Sequence, residues 1–286
     1  MRITDIIGGN KPSLSFEVFP PKSSDSFESV LSATMRIAEL SPGYMSVTYG
    51  AGGTTDKYTA AIASEIKGAG VTPLAHLSCI ASTKEKVHAL LDDLRDRGIS
   101  NVLALRGDIP DGMDTSALEY KYASELISEI RSVGGFCIGG ACYPEGHPES
   151  SDGVADIEAL YIKQECGCEF LTTQMFFDNN IVYNFMYRLM RRGVNIPVVP
   201  GIMPMTAAGQ LKKIKAISGG ALPQRFVRLI DRYGDNPCAM REAGIAYATE
   251  QIVDLYANGF NAVHVYSMNK PEVARAIRDN IAAIIS

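Results

Sequence analysis

One junction recurs along this chain and restricts its fold more than any other feature: a stretch with helical spacing ends, a glycine follows, and a short apolar run begins. It occurs at Gly43 before YMSVT, Gly70 before VTPLAH, Gly98 before ISNVLAL and Gly134–Gly135 before FCIGGAC. It returns at Gly167 before CEFLTT, Gly193 before VNIPVVP and Gly259 before FNAVHVY. Glycine enters the left-handed conformation that other residues resist, so at each site it ends a helix and turns the chain. Seven such junctions join eight strands, the first at Leu14–Phe19. The runs are continuously apolar rather than alternating, which suits parallel strands covered by helices. Eight such units can close into a (β/α)8 barrel or lie open as a doubly wound sheet. The count of eight, with 286 residues of which 46% are hydrophobic, favours one α/β barrel spanning residues 1–286.

Helix signals fill the intervals. Phe27, Val30, Leu31 and Ile37 or Ala38 fall at helical spacing. Ser82 with Glu85, and Ser116 with Glu119, match the capping box. Asn236–Pro237 reads as an N-cap with proline at the first helical position. The longest excursion, Ser218–Asn236, is expected to carry an extra short helix at Gln224–Tyr233. A net charge of −5 argues against a nucleic-acid or anionic-membrane partner. No apolar run approaches the roughly 18 residues that span a bilayer. The start, MRITDIIGGN, lacks the apolar core of a signal peptide, so a cytoplasmic location is expected. The six cysteines (Cys79, Cys137, Cys142, Cys166, Cys168, Cys238) sit mostly in apolar segments and read as reduced, small hydrophobes.

Active sites of (β/α)8 barrels lie at the C-terminal ends of the strands, so the residues closing each apolar run are the candidates. They are Glu17, then Thr48-Tyr49-Gly50, His76, Arg106-Gly107-Asp108, Tyr143-Pro144-Glu145 with His147, Gln174, Pro200-Gly201, and Tyr266 with Asn269. Glu17 is the sharpest. It sits inside LSFEVF, where desolvation should raise its pKa toward the range useful to a general acid, unless a core arginine or lysine pairs with it. Asp108 follows Arg106 by two residues, which on an extended segment puts both on one face, either as a site charge or as a local ion pair. Taken alone, His76 and His264 read as core histidines, His88 as structural or surface, and loop-borne His147 as a ligand contact. No Rossmann fingerprint, P-loop, HExxH or Gly-x-Ser-x-Gly elbow is present, and Cys166-Gly-Cys168 has no second pair at zinc spacing. Covalent serine or cysteine catalysis and metal chemistry therefore lack support, and no metal ligand is assigned.

At these residues the chain resembles the methylenetetrahydrofolate reductase family in its short bacterial form. The matching strings are SFEVFPPK (15–22), SVTYGAGG (46–53), LAHLSCI (74–80), ALRGDIP (104–110), YPEGHPE (143–149), TTQMFFD (172–178), PGIMP (200–204) and HVYSMNK (264–270), in order from near one end to near the other. The resemblance implies a barrel holding FAD non-covalently. NADH or NADPH would reduce the flavin and leave, and methylenetetrahydrofolate would then accept hydride on the same face. It maps the general acid to Glu17, an electrostatic aspartate to Asp108, and pterin and substrate contacts to Gln174 and Gln210. FAD contacts map to Thr48, His76, Arg106, Gly107, Asp108, Tyr122, Ala123, Ala141, Tyr143, His147, Asp156 and Lys163. Three positions depart from the family pattern. Ile214 replaces a phenylalanine that stacks on the nicotinamide nucleotide. Lys270 replaces an arginine at the folate tail, keeping the charge but losing the bidentate fork. Ile162 replaces a basic residue, which leaves Lys163 as the phosphate partner. The resemblance further implies a homo-oligomer, with a partner subunit left open. The competing readings are another flavin barrel of the proline-dehydrogenase kind and a non-catalytic subunit that docks flavin or folate.

Overall fold

The computed structural model describes residues 1–21, 23–49, 56–80, 82–109, 112, 118–150, 152–211 and 222–286. Strands and helices alternate: β1 (Ser13–Val18), α2 (Phe27–Ala38), β2 (Tyr44–Val47), α3 (Asp56–Gly68), β3 (Thr72–Ser78), α4 (Lys84–Asp96), β4 (Asn101–Leu105), α5 (Ala123–Val133) and β5 (Cys137–Cys142). There follow α6 (Gly153–Cys166), β6 (Phe170–Thr173), α7 (Asn179–Arg192), β7 (Val198–Val199), β8 (Gly201–Ile202), α8 (Gln224–Tyr233), α9 (Pro237–Ala257), β9 (Ala262–Tyr266) and α10 (Pro271–Asn280). All ladders are parallel, in the order β7-β6-β5-β4-β3-β2-β1-β9-β8.

The nine segments make eight staves. β7 and β8 are one stave interrupted at Pro200, which has no N–H to donate to a ladder. β7 pairs with β6 and β8 with β9, and the Pro200 carbonyl accepts the His264 N–H at 2.8 Å, so this broken stave brings the two sides of the barrel together. A short helix that the sequence reading did not anticipate, α1 (Ile3–Ile7), covers the N-terminal end. Its Ile3 and Ile7 pack with residues from the starts of the staves, among them Tyr44, Cys137, Phe170 and Ala262. Asn101 holds it there, accepting from the Ile3 N–H at 3.0 Å and donating to the Met1 carbonyl at 3.1 Å.

Most local expectations hold, and the exceptions have physical causes. Gly70, Gly98, Gly134, Gly135, Gly167, Gly193 and Gly259 all have positive φ. Gly43 does not: Ser41 makes the left-handed turn (φ 52°), and Gly43 is needed because a Cβ there would strike the Ser13 hydroxyl. Helix α4 is capped by Thr83, whose hydroxyl accepts from the Lys86 N–H, rather than by Ser82, which donates to the Ser78 carbonyl. Ser116 lies outside the described residues. Glu119 accepts from the Lys84 N–H, and α5 begins later, at Ala123 with Tyr122 as its N-cap, where Glu125 accepts the Lys121 and Tyr122 N–H groups. The Asn236 cap and the helix at Gln224–Tyr233 stand as read. No helix among the described residues is long and apolar enough to cross a membrane.

Candidate active site

Strand register builds the centre of the site. Glu17 on β1 lies level with Ser46 on β2 and Tyr266 on β9, and alternation along each strand turns these side chains to one face. Glu17 is only 6% exposed. Burial pushes its carboxyl up to about 8, and a hydrogen bond from Ser46 only partly offsets this. Among the described residues no arginine or lysine contributes to the shift, so the ion-pair alternative for Glu17 finds no support there. His76 Nε2 sits 3.6 Å from the Glu17 carboxyl, is itself buried, and has no hydrogen-bond partner among the described residues. The distance would suit an ion pair, but burial drives the imidazole down to about 3 while driving the acid up. At neutral pH the contact therefore joins a carboxylic acid to an uncharged imidazole.

Beside this centre opens a cavity of about 720 Å³, within the usual range of ligand pockets. Its lining comes from the ends of β3, β4 and β5 and from α5 and α6. It includes ten positions singled out from the sequence: Arg106, Gly107, Asp108, Tyr122, Ala123, Ala141, Tyr143, His147, Asp156 and Lys163. Ile162 lines it as well. Gly107 has φ +89°, and a Cβ there would meet Ser78 and Ile80, so no other residue fits this bend without strain. The bend also breaks the extended segment expected for Arg106 and Asp108. Arg106 instead makes two bonds to Glu149, at 2.6 and 2.7 Å, so the local Arg106–Asp108 pair is not formed. The exposed Asp108 is close enough to disfavour ionisation of Tyr143.

Three cavity groups have capacity to spare. Asp156 is 7% exposed, and its Oδ2 has no partner among the described residues. Lys163 donates to the Ala141 carbonyl at 2.8 Å, and burial lowers its pKa. His147 accepts the Glu149 N–H on Nδ1, so its neutral ring carries the proton on Nε2, while its face meets Tyr143 edge-on at 4.5 Å. A buried acceptor without a donor, two cations and a backbone bend closed to side chains suit a ligand with hydroxyl and anionic groups.

The other predicted residues fall around the centre. Gln174 follows β6 directly, hydrogen bonds Tyr143, and accepts the Met175 N–H at 2.9 Å. Tyr143 thus joins the cavity to the barrel mouth, and Tyr266 lies within electrostatic range of both Tyr143 and Glu17. Thr48 closes β2 beyond Ser46, outside the cavity lining. Lys270 donates to the Thr206 hydroxyl at 2.8 Å. Gln210 accepts the Thr206 and Ala207 N–H groups at 3.0 Å, which ties its carbonyl oxygen to its own turn. Asn269 bonds both backbone groups of Phe19, clamping the loop after β1 to the loop after β9. His88 pairs with Glu129 on the surface. Gly50 and Ile214 lie outside the described residues. Ser15 and Ser46 open two of the matching strings but carry no role by sequence, and both contact the ring of His264, which its strand marks only as a core histidine. The spacing Ser15–Glu17 was the available signal, because residues two apart on a strand share a face.

This arrangement matches a known family. A family model described as methylenetetrahydrofolate reductase matches residues 2–282. A protein from Pectobacterium carotovorum subsp. carotovorum named 5,10-methylenetetrahydrofolate reductase is 33% identical over 265 residues, or 92% of this chain and 88% of its own. The chain belongs to the methylenetetrahydrofolate reductase family. A plant member, methylenetetrahydrofolate reductase (NADH) 1 of Arabidopsis thaliana, is 33% identical over 99% of this chain, which spans 50% of the plant protein's length. Among solved structures, a Clostridium thermocellum protein described as binding two copies of 5-methyl-5,6,7,8-tetrahydrofolic acid shares the fold. The TM-score is 0.67 at 13% identity, covering 99% of this chain and 100% of that one. As a member of this oxidoreductase family, the chain carries the barrel and the acid-bearing first strand at the positions its motifs indicated.

Proposed function

We propose that this chain is a flavin-dependent methylenetetrahydrofolate reductase, converting 5,10-methylenetetrahydrofolate to 5-methyltetrahydrofolate and so supplying methyl groups for methionine synthesis. The observation that carries the reading is Glu17, a carboxyl held protonated up to about pH 8 at the catalytic end of the barrel. Opening the five-membered ring of the substrate makes a nitrogen a leaving group, and that nitrogen needs a proton. A carboxyl with an ordinary pKa would have lost its proton at neutral pH; Glu17 keeps it until the substrate arrives. Ring opening leaves an iminium cation. Asp108 supplies a fixed negative charge on the same side of the barrel and favours that cation.

The cavity beside Tyr143 fits FAD in character. Arg106 and Lys163 would face the phosphates, Asp156 Oδ2 would accept from a hydroxyl, and the bend at Gly107 lets backbone approach the ligand closely. The chemistry such a flavin supplies is hydride acceptance from NADH or NADPH and hydride delivery to the folate. Gln174 would contact the pterin, and Lys270 would meet the folate tail.

Two measurements test the reading. Purified protein should show the visible spectrum of an oxidised flavin; a colourless protein that binds no added FAD would end the proposal. Glu17→Gln should still let a nicotinamide donor reduce the flavin but should nearly abolish folate reduction. A folate half-reaction at the wild-type rate would remove Glu17 from the role of acid.

A further inference from the structure

We propose that Glu149 is a positioning residue of the cavity, holding Arg106 in the orientation that an anionic ligand meets. The inference rests on the reading of the cavity as the flavin site, and it starts from how the loop after β5 is made. Two turns follow each other there. The Gly146 N–H donates to the Tyr143 carbonyl at 3.0 Å with Pro144 in second place, and the Ser150 N–H donates to the His147 carbonyl at 2.9 Å with Pro148 in second place. Proline presets the backbone angle that this place in a turn requires. Glu149 stands next to Pro148 inside the second turn, and its own N–H donates to His147 Nδ1 at 3.1 Å. Its carboxylate is therefore carried by a backbone that the turn has already fixed.

Arg106 needs such an anchor. Its side chain is long, and freezing it only when a ligand arrives costs affinity. The Glu149 oxygens take one N–H from each terminal nitrogen, at 2.6 and 2.7 Å, and the Nε–H donates to the Gly107 carbonyl at 3.1 Å. Two restrained pieces of backbone, the proline turn and the bend at Gly107, thus set the plane of the guanidinium. Of the five N–H groups of an arginine, the two outside these contacts are left to meet a ligand in the cavity that both residues line. Arg106 holds the Glu149 carboxyl below its ordinary pKa, so both oxygens stay ionised acceptors at neutral pH. A carboxylate beside a cation also weakens its pull on an anion. The Glu149 side chain is 56% exposed, however, so water screens that charge, while the orientation it imposes is kept. Positioning outweighs the opposing charge.

The test is a double-mutant cycle read by affinity. FAD and, separately, inorganic diphosphate are titrated into the full chain, freed of any bound flavin. Glu149→Ala should weaken binding by about fivefold, the factor for releasing one long side chain. Glu149→Gln, which offers one acceptor oxygen in place of two, should weaken it as well. In an Arg106→Ala background, Glu149→Ala should leave the remaining affinity unchanged, because nothing is left to position. Tighter binding by either Glu149 variant would show that the carboxylate competes with the ligand, and overturns the proposal. Unchanged binding overturns it too, as does an equal loss with Arg106 absent, which a role confined to the loop would give. The two readings fail separately. Wild type that takes diphosphate but no FAD loses the reductase reading, and the cycle with diphosphate still decides this inference. Wild type that takes FAD with no coupling between Arg106 and Glu149 keeps the reductase reading and loses the inference. Wild type that takes neither ligand loses both.

Discussion

Burial of Glu17 should leave a measurable pH signature on stability. Its ordinary pKa of 4.5 applies in the unfolded chain, and the folded carboxyl titrates at about 8. Unfolding therefore releases a proton across this window. The stability that protonated Glu17 allows is fully present below about 4.5, is lost as pH rises toward 8, and the loss levels off above that. Each pH unit inside the window is worth about 1.36 kcal/mol, and allowing for curvature at the upper end, wild type should lose about 2 kcal/mol between pH 6.5 and 9. Glutamine at this position cannot titrate. Starting at pH 6.5 limits the contribution of His76 and His264, whose lowered pKa values make them bind protons on unfolding below that point. The assay is urea unfolding of wild type and Glu17→Gln across this range. The difference between them should shift in favour of the variant by about 2 kcal/mol, nearly all of it before pH 8.5. A difference that stays constant with pH would show that Glu17 is already ionised in the native protein, and the argument for it as the acid would collapse.

Other consequences are equally open to measurement. Asp108→Asn should slow the folate half-reaction more than flavin reduction in single-turnover kinetics, and equal slowing of both would refute the electrostatic role. Gly107→Ala forces a side chain into φ +89° against Ser78 and Ile80, and should destabilise by roughly 1–3 kcal/mol, seen as a lower Tm; an unchanged Tm would mean the bend is not strained. Arg106→Ala removes a cavity cation and leaves Glu149 unpaired, so titration with FAD should show affinity at least tenfold weaker; wild-type affinity would take Arg106 out of the phosphate site. Because Ile214 departs from the family's stacking phenylalanine, reduction by NADH should be weak or altered when compared with NADPH and a reduced carrier protein in single-turnover assays; fast, tight reduction by NADH would sink that expectation.

Much of this molecule is legible in its sequence because the relevant physics is local. A glycine with positive φ after a helix depends on its own backbone, and six of the seven junctions repeat that signal. The desolvation of Glu17 could be read from Phe16, Val18 and Phe19, because neighbours along a buried strand already exclude water. Other features depend on partners far apart in the chain. The sequence cannot say that Arg106 turns to Glu149 across the cavity mouth, because the bend at Gly107 and the loop after β5 decide it together. It cannot show that Pro200 splits a stave yet lends its carbonyl to His264, or that α1 covers the barrel floor. Least visible of all were the contacts of Ser15 and Ser46 with the two ring nitrogens of His264. A serine or histidine in a strand is ambiguous until register sets which residue lies level with which, and barrel closure alone brings the ninth strand segment beside the first. Sequence determined that an acid would sit at the mouth of a barrel; tertiary structure decided which groups surround it.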